Sequence, residues 1–229
     1  MSHWMITGAS RGIGLELARQ LAIAGEQVTA SRRAGSRHEP LEAALAPAGS
    51  RGRSLVFDTR NEAQIRIAAT QVHDPVDVLI ANAGAYGPER QSALDMDFPG
   101  VLDLLDTNAL GPLRVAQAFL PLIRRGARPR IVFMSSVLGS MALGGTFNVG
   151  YRASKAALNK IAQCLADELK PEGISVVSMH PGWVRTDMGG PNATLSVEES
   201  AYSLIRVIEG LTISDTRRYL DYRGSDIDW

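Results

Sequence analysis

Only one cysteine, Cys164, stands in 229 residues. A lone thiol excludes an internal disulfide framework and any CxxC pair, and it fits a reducing compartment; Cys164 reads as helix packing. Histidine is thin too. His3, His38, His73 and His180 are scattered, with no carboxylate or thiol at ligand spacing, so no metal site is expected. An excess of one charge is also missing. Lys plus Arg and Asp plus Glu both number 24, which gives no reason to expect nucleic acid or an anionic membrane surface as a partner. No apolar run approaches the roughly 18 residues of a membrane span. The opening MSHWMITGAS reaches a glycine turn after one short apolar run and does not read as a signal peptide. A cytoplasmic location is the expectation.

What is present is a regular alternation. Apolar residues make up 45% of the chain, and its length suits one α/β domain over residues 1–229. Short apolar runs at Trp4–Ile6, Val28–Ser31, Leu55–Phe57, Val76–Ala81, Arg130–Met134, Ser175–Met179 and Arg218–Tyr222 predict strands. Between them, apolar residues at spacings of three and four predict helices after Gly14, over Leu41–Ala46, Glu62–Thr70, about 99–125, from Tyr151 to Leu169, and over Val197–Ile208. Repeated βα units with near-continuous apolar strands predict a doubly wound parallel sheet of the Rossmann type, with helices on both faces. Ligands of such a sheet bind beyond the carboxyl ends of its strands.

The special residues fall at those ends. Thr7-Gly8-Ala9-Ser10-Arg11-Gly12-Ile13-Gly14 follows the first strand and opens a helix. Glycines there let backbone approach a pyrophosphate, and the helix N-terminus favours the anion. The second strand ends in Ser31-Arg32-Arg33, with none of the acid that binds a ribose 2′-hydroxyl in NAD sites. Arg11, Arg32 and Arg33 offer three guanidinium groups that suit a 2′-phosphate, which favours NADP(H) over NAD(H) and leaves open which of them binds it. Asp58 either accepts from the adenine amino group or caps its own turn. Tyr151 and Lys155 stand four apart, on one helix face. A cation beside a phenol favours phenolate and is expected to pull its pKa from about 10 toward neutrality. Such a tyrosine exchanges a proton with a carbonyl or alcohol oxygen near pH 7.

Together these residues resemble the short-chain dehydrogenase/reductase family, in order and across essentially the whole chain. TGASRGIG is similar to its TGxxxGxG loop. NAG at 82–84 resembles its NNAG motif, with Ala81 replacing the first Asn. Tyr151-x-x-x-Lys155 resembles its YxxxK, and Pro181-Gly182-Trp183-Val184-Arg185-Thr186 its PG motif. Within the family, PVDVLIANAG, TNALGPLRVAQAFLP, HPGWVRTDMGGPNATL and YRGSDIDW are similar to the C-factor and sniffer-like carbonyl reductases. The loop between Ser136 and Tyr151 is about two residues longer than is usual in the family, a feature of the sniffer-like branch.

The resemblance implies an NADP-dependent carbonyl reductase acting on a ketone or aldehyde. It assigns catalysis to Asn108, Ser136, Tyr151 and Lys155. Tyr151 is then the general acid/base, Ser136 the hydroxyl that fixes the reacting oxygen, Lys155 the ribose holder, and Asn108 the holder of a water linking Lys155 to solvent. The choice of Ser136 over the adjacent Ser135 rests on the resemblance. It also assigns cofactor contacts to Gly8, Ser10, Arg11, Gly12, Ile13, Gly14, Asn82, Ala83, Gly84, Pro181, Gly182, Val184 and Thr186, beside Tyr151 and Lys155. Leu143, Trp183 and Met188 are candidate substrate contacts. The helices near 99–125 and 152–169 form dimer interfaces in the family, which implies a homodimer or homotetramer. A second reading is a C-factor-like signalling protein that binds the nucleotide with little turnover. The short segment after Thr186 predicts an open site without a large lid.

Overall fold

The computed structural model describes residues 1–229. Each short apolar run becomes a strand: β1 (His3–Ile6), β2 (Gln27–Arg32), β3 (Gly52–Val56), β4 (Val78–Ala81), β5 (Arg130–Met134), β6 (Ser175–His180) and β7 (Tyr219–Asp221). They form one sheet in the order β3-β2-β1-β4-β5-β6-β7, with every pairing parallel. The helices are α1 (Gly12–Ile23), α2 (Glu39–Leu45), α3 (Glu62–Thr70), α4 (Phe98–Leu105), α5 (Gly111–Ile123), α6 (Val149–Leu169) and α7 (Val197–Gly210).

Side chains alternate across a strand, so one strand feeds two cores. Trp4, Ile6, Val132 and Met179 pack with Leu17, Leu41 and Leu204, which puts α1, α2 and α7 on one face. Met5, Phe133 and Val176 pack with Ile65, Phe119 and Leu158, which puts α3, α5 and α6 on the other. The two cores hold 23 and 22 buried residues and cover both faces of the sheet, except at the edge strand β3, where Arg53, Ser54 and Val56 are exposed. That burial explains the near-continuous apolar strands. Burying each large aliphatic side chain contributes about 1.5–3 kcal/mol.

Helix ends follow their sequence signals. Ser196 and Glu199 make a reciprocal capping box at the start of α7. Its far end is held by Arg130, a buried guanidinium that donates to the Ile208 carbonyl at 2.6 Å and the Glu209 carbonyl at 3.1 Å. The predicted helix over 99–125 is in fact α4 and α5, separated by a π-turn at Asp106–Leu110. The extra residue bulges where Asn108 turns inward to bond backbone outside the helix, a pull that periodicity does not register. β3 begins earlier than the apolar run suggests and ends at Val56, short of Phe57.

Strand order reverses between β1 and β4. Loops from these strands diverge there and open a crevice at their carboxyl ends. A cleft of about 1080 Å³ occupies that place.

Candidate active site

The cleft floor is built by the loop between β1 and α1. Gly8 has φ +68°, and a Cβ on it would lie 2.7 Å from the Ala83 Cα, so only glycine lets the β1 and β4 loops meet. A Cβ on Gly14 would lie 2.5 Å from both the Asn82 Nδ2 and the Gly8 carbonyl. The side chain of Asn82 is spent on this junction: its Nδ2 donates to the Thr7 carbonyl at 3.0 Å and the Gly8 carbonyl at 3.2 Å. The Ala83 N–H donates to the Thr7 Oγ1 at 3.0 Å. These bonds fix bare backbone at the N-terminus of α1, a cradle that fits a pyrophosphate.

Arg32, Arg33 and Arg37 line one end of the cleft with Ser31 and Ser36. Arg32 Nε is buried with no hydrogen-bond partner in the protein, and Arg33 makes no salt bridge, although its charge helps hold the Asp58 carboxyl down. A buried N–H without an acceptor is costly, so this end fits a ligand that brings anionic oxygens. Arg11 reaches across the cleft to an ion pair with Asp187 in the β6–α7 loop. Asp58 caps its own turn, accepting the Arg60 N–H at 2.9 Å and pairing with the Arg60 guanidinium. Burial pushes its carboxyl up, but these partners outweigh burial and hold it below the ordinary carboxylate value.

The other end of the cleft is built on β5 and α6. Ser135 and Ser136 follow β5 in extended backbone and diverge. Ser135 Oγ donates to Asn159 Oδ1 at 2.7 Å, whereas the Ser136 Oγ accepts the Leu138 N–H at 3.3 Å and stands close enough to the Tyr151 phenol to pull its pKa down. Lys155 is buried behind the phenol, its Nζ 5.8 Å from the Tyr151 ring centre and donating to the Met134 carbonyl at 2.8 Å. Burial lowers its ammonium to about 8. The phenol does not show the downward shift expected from Lys155. Burial pushes Tyr151 up to about 12, against the smaller opposing pull of the Ser136 hydroxyl. The phenol is desolvated, while the cation lies over its ring and is turned to a carbonyl.

Asn108 is fully buried, and its side chain is satisfied by backbone. Its Oδ1 accepts the Ala85 N–H at 2.8 Å, and its Nδ2 donates to the Ala85 carbonyl at 2.8 Å and Ser154 Oγ at 3.0 Å. A Cβ on Gly84 would fall 3.2 Å from Asn108 Oδ1 and 3.5 Å from Lys155 Nζ, so the two side chains face one glycine.

Most residues singled out in the sequence stand on the cleft wall: Gly8, Ser10, Arg11, Gly12, Ile13, Gly14, Arg32, Arg33, Asp58, Asn82, Ala83, Gly84, Tyr151, Lys155, Pro181, Thr186 and Met188. Ser136 is buried and does not line the cleft, whereas the adjacent Ser135 does. Gly182 and Val184 support the loop above, where Val184 bridges to Leu195. Thr186 Oγ1 accepts the Gly189 N–H at 3.0 Å. Trp183 and Leu143 are about half exposed; Trp183 Nε1 donates to the Gly189 carbonyl at 2.9 Å. Sequence reading passed over three residues. Arg37 and Ser36 join the arginine end, and Tyr86 packs its ring 5.2 Å from that of Tyr151. Tyr86 follows Gly84 by two residues, which is the only signal that pointed to it.

A glycine loop at the switch point of a parallel sheet, with Tyr151 and Lys155 at the far end of the same cleft, matches the layout of one family of oxidoreductases. The chain belongs to the short-chain dehydrogenase family of oxidoreductases, whose model, described as "short chain dehydrogenase", matches residues 2–194. Among individual proteins it is 45% identical to C-signal of Myxococcus xanthus over 170 residues, which is 72% of this chain and 100% of that one. The structure is similar to that of the carbonyl reductase Sniffer of D. melanogaster, with TM-score 0.90 and 31% identity over 100% of both chains. It is also similar to a carbonyl reductase from Pseudomonas aeruginosa PAO1 in complex with NADP, with TM-score 0.85 and 39% identity over 100% of both chains. No helix is long and apolar enough to cross a membrane.

Proposed function

We propose that this protein is an NADPH-dependent reductase of ketones or aldehydes. The observation that carries the reading is Tyr151 on the cleft wall with buried Lys155 Nζ 5.8 Å from its ring centre, at the end of a cleft whose other end carries Arg32, Arg33 and Arg37. NADPH fits the glycine cradle and the partnerless Arg32 Nε; when bound, it supplies the hydride that reduces a carbonyl carbon. Arg32, with Arg33 and Arg37 around it, holds the 2′-phosphate, and Gly12, Ile13 and Gly14 offer backbone to the pyrophosphate. Ser136 donates a hydrogen bond to the carbonyl oxygen and fixes its place. Tyr151, still protonated at neutral pH, gives its proton to that oxygen as negative charge develops there, and alcohol results. The Lys155 cation stabilises the phenolate left behind. With burial pushing it up to about 12, the Tyr151 phenol holds its proton throughout the neutral range.

The neighbours named carbonyl reductase support this reading, as does the NADP bound in one of them. Exposed Phe98 and Leu102 on α4 suit a homo-oligomer contact, which light scattering tests. One comparison favours a second reading. Similarity to C-signal suggests signalling by the nucleotide-bound fold with little turnover.

The test is loss of NADPH absorbance with a panel of ketones, aldehydes and quinones, beside NADH and a Tyr151→Phe variant. Turnover with NADPH that disappears in the variant while NADPH binding persists is the expected result. Tight binding without turnover on any carbonyl would favour the signalling reading.

A further inference from the structure

The helix that carries Tyr151 begins without a cap of its own. Asn148 precedes α6 with left-handed backbone, φ +53°, and its side chain makes no capping bond; it donates instead to the Tyr86 hydroxyl. The first main-chain bond of the helix runs from the Arg152 N–H to the Asn148 carbonyl at 2.9 Å. The earlier N–H groups therefore need acceptors from elsewhere. Two of them find one residue. Gln91, in the loop between β4 and α4, accepts the Tyr151 N–H on its Oε1 at 2.8 Å and the Gly150 N–H on its carbonyl at 3.4 Å.

The other end of the Gln91 amide is also used. Its Nε2 donates to the Pro88 carbonyl at 2.9 Å and the Tyr86 carbonyl at 3.1 Å. Gln91 is 3% exposed, so these bonds do not compete with bulk water. Gly150 makes room for the arrangement, since a Cβ there would sit 3.2 Å from the Gln91 Oε1 and 2.8 Å from Val101 Cγ2. One amide thus ties the main chain of Tyr151 to the loop whose Tyr86 ring packs on the Tyr151 ring.

We infer that Gln91 is a positioning residue for Tyr151, capping α6 from another element and locking the 86–88 segment against the phenol. The catalytic part of this inference rests on the reductase reading above. A proton donor must be placed to a fraction of an ångström, and displacement near 1 Å costs on the order of a hundredfold in rate. The capping group is placed to set the axial position of the first helical turn, where Tyr151 lies.

The test has two arms. Amide hydrogen exchange followed residue by residue reads the cap directly, with no need for turnover. The Tyr151 N–H of the wild-type protein exchanges slowly, although it belongs to the first turn of a helix. Gln91→Met keeps side-chain length and apolar packing, and it raises that exchange rate by roughly tenfold or more through local opening. Rapid exchange of the Tyr151 amide in the wild-type protein would overturn the inference without any variant. The kinetic arm compares the same proteins with NADPH and a reducible carbonyl. The expected result for Gln91→Met is kcat lower by about tenfold to a hundredfold, with the KM for NADPH unchanged. A kcat within twofold of wild type would overturn the positioning role, and so would a loss confined to KM. If the wild-type protein reduces no carbonyl, the reductase reading fails while the exchange arm still decides whether Gln91 caps α6.

Discussion

Ser135 Oγ donates to Asn159 Oδ1 at 2.7 Å, and the next hydroxyl along the chain, that of Ser136, makes no such bond to α6 and lies on the Tyr151 side instead. Neighbours in extended backbone point to opposite sides. One serine therefore anchors the middle of α6 and the other faces the proton donor. Ser136→Ala is expected to lower kcat by about a hundredfold to a thousandfold, the usual cost of removing one donor at a developing oxyanion. Ser135→Ala is expected to keep kcat within a few-fold and to lower unfolding free energy by about 1 kcal/mol. Steady-state kinetics beside urea denaturation separates the two, and equal kinetic losses would show the assignment to be wrong.

The arginine end of the cleft predicts cofactor choice. Arg32→Ala removes the guanidinium whose Nε is buried without a protein partner. A charge-assisted bond to phosphate is worth about 1.5–3 kcal/mol, so the Kd for NADPH is expected to rise by about tenfold to a hundredfold while that for NADH barely moves. Fluorescence titration of both nucleotides checks this. Equal weakening of the two would mean that Arg32 does not face a 2′-phosphate.

Lys155 sets an alkaline limit. Burial lowers its ammonium to about 8. As pH rises through that value the cation is lost, and with it the charge that stabilises phenolate at Tyr151. Reductive kcat is expected to stay level from about pH 6 to 8 and to fall above it. Lys155→Met is expected to be slow at every pH, with this alkaline limb gone. A wild-type profile flat to pH 10 would contradict the role given to Lys155.

His180, at the end of β6, ties stability to acid. Burial pushes its imidazole down to about 4, against the smaller opposing effect of Asp221. Between that value and the ordinary 6.5 the unfolded chain binds the extra proton and the folded chain does not. Unfolding free energy therefore rises with pH across this window and is lost as pH falls through it, by at most about 3 kcal/mol. His180→Gln is expected to flatten that part of the stability curve, leaving whatever His3, also lowered by burial, contributes. Chemical denaturation at half-unit pH steps measures it.

Local signals made much of this legible. The glycines between the first apolar run and the following helical repeat pointed to a turn of bare backbone at a helix N-terminus, because the reason is backbone sterics within a few residues. The end of β2 carries Arg32 and Arg33 and no acid, which already argued for a 2′-phosphate. Tyr151 and Lys155 share a helix face by spacing alone. The run around Asn108 read as one helix, because a π-turn costs little and leaves no mark in the apolar periodicity. The bonds from Asn108 to Ala85 that accompany the turn span 23 residues.

What the sequence by itself determined is the parallel sheet, the end of it where the cleft opens, and the identity of the groups gathered there, since each follows from a short pattern. Tertiary structure alone decided their electrical state and their aim. Burial, which is a sum over distant neighbours, put Tyr151 up at about 12 where its spacing from Lys155 had suggested a shift toward neutrality. Contacts between remote segments turned Ser135 to Asn159, drew Arg11 to Asp187 and brought Gln91 to the start of α6. Such contacts join residues far apart in the chain, and no local pattern carries their geometry.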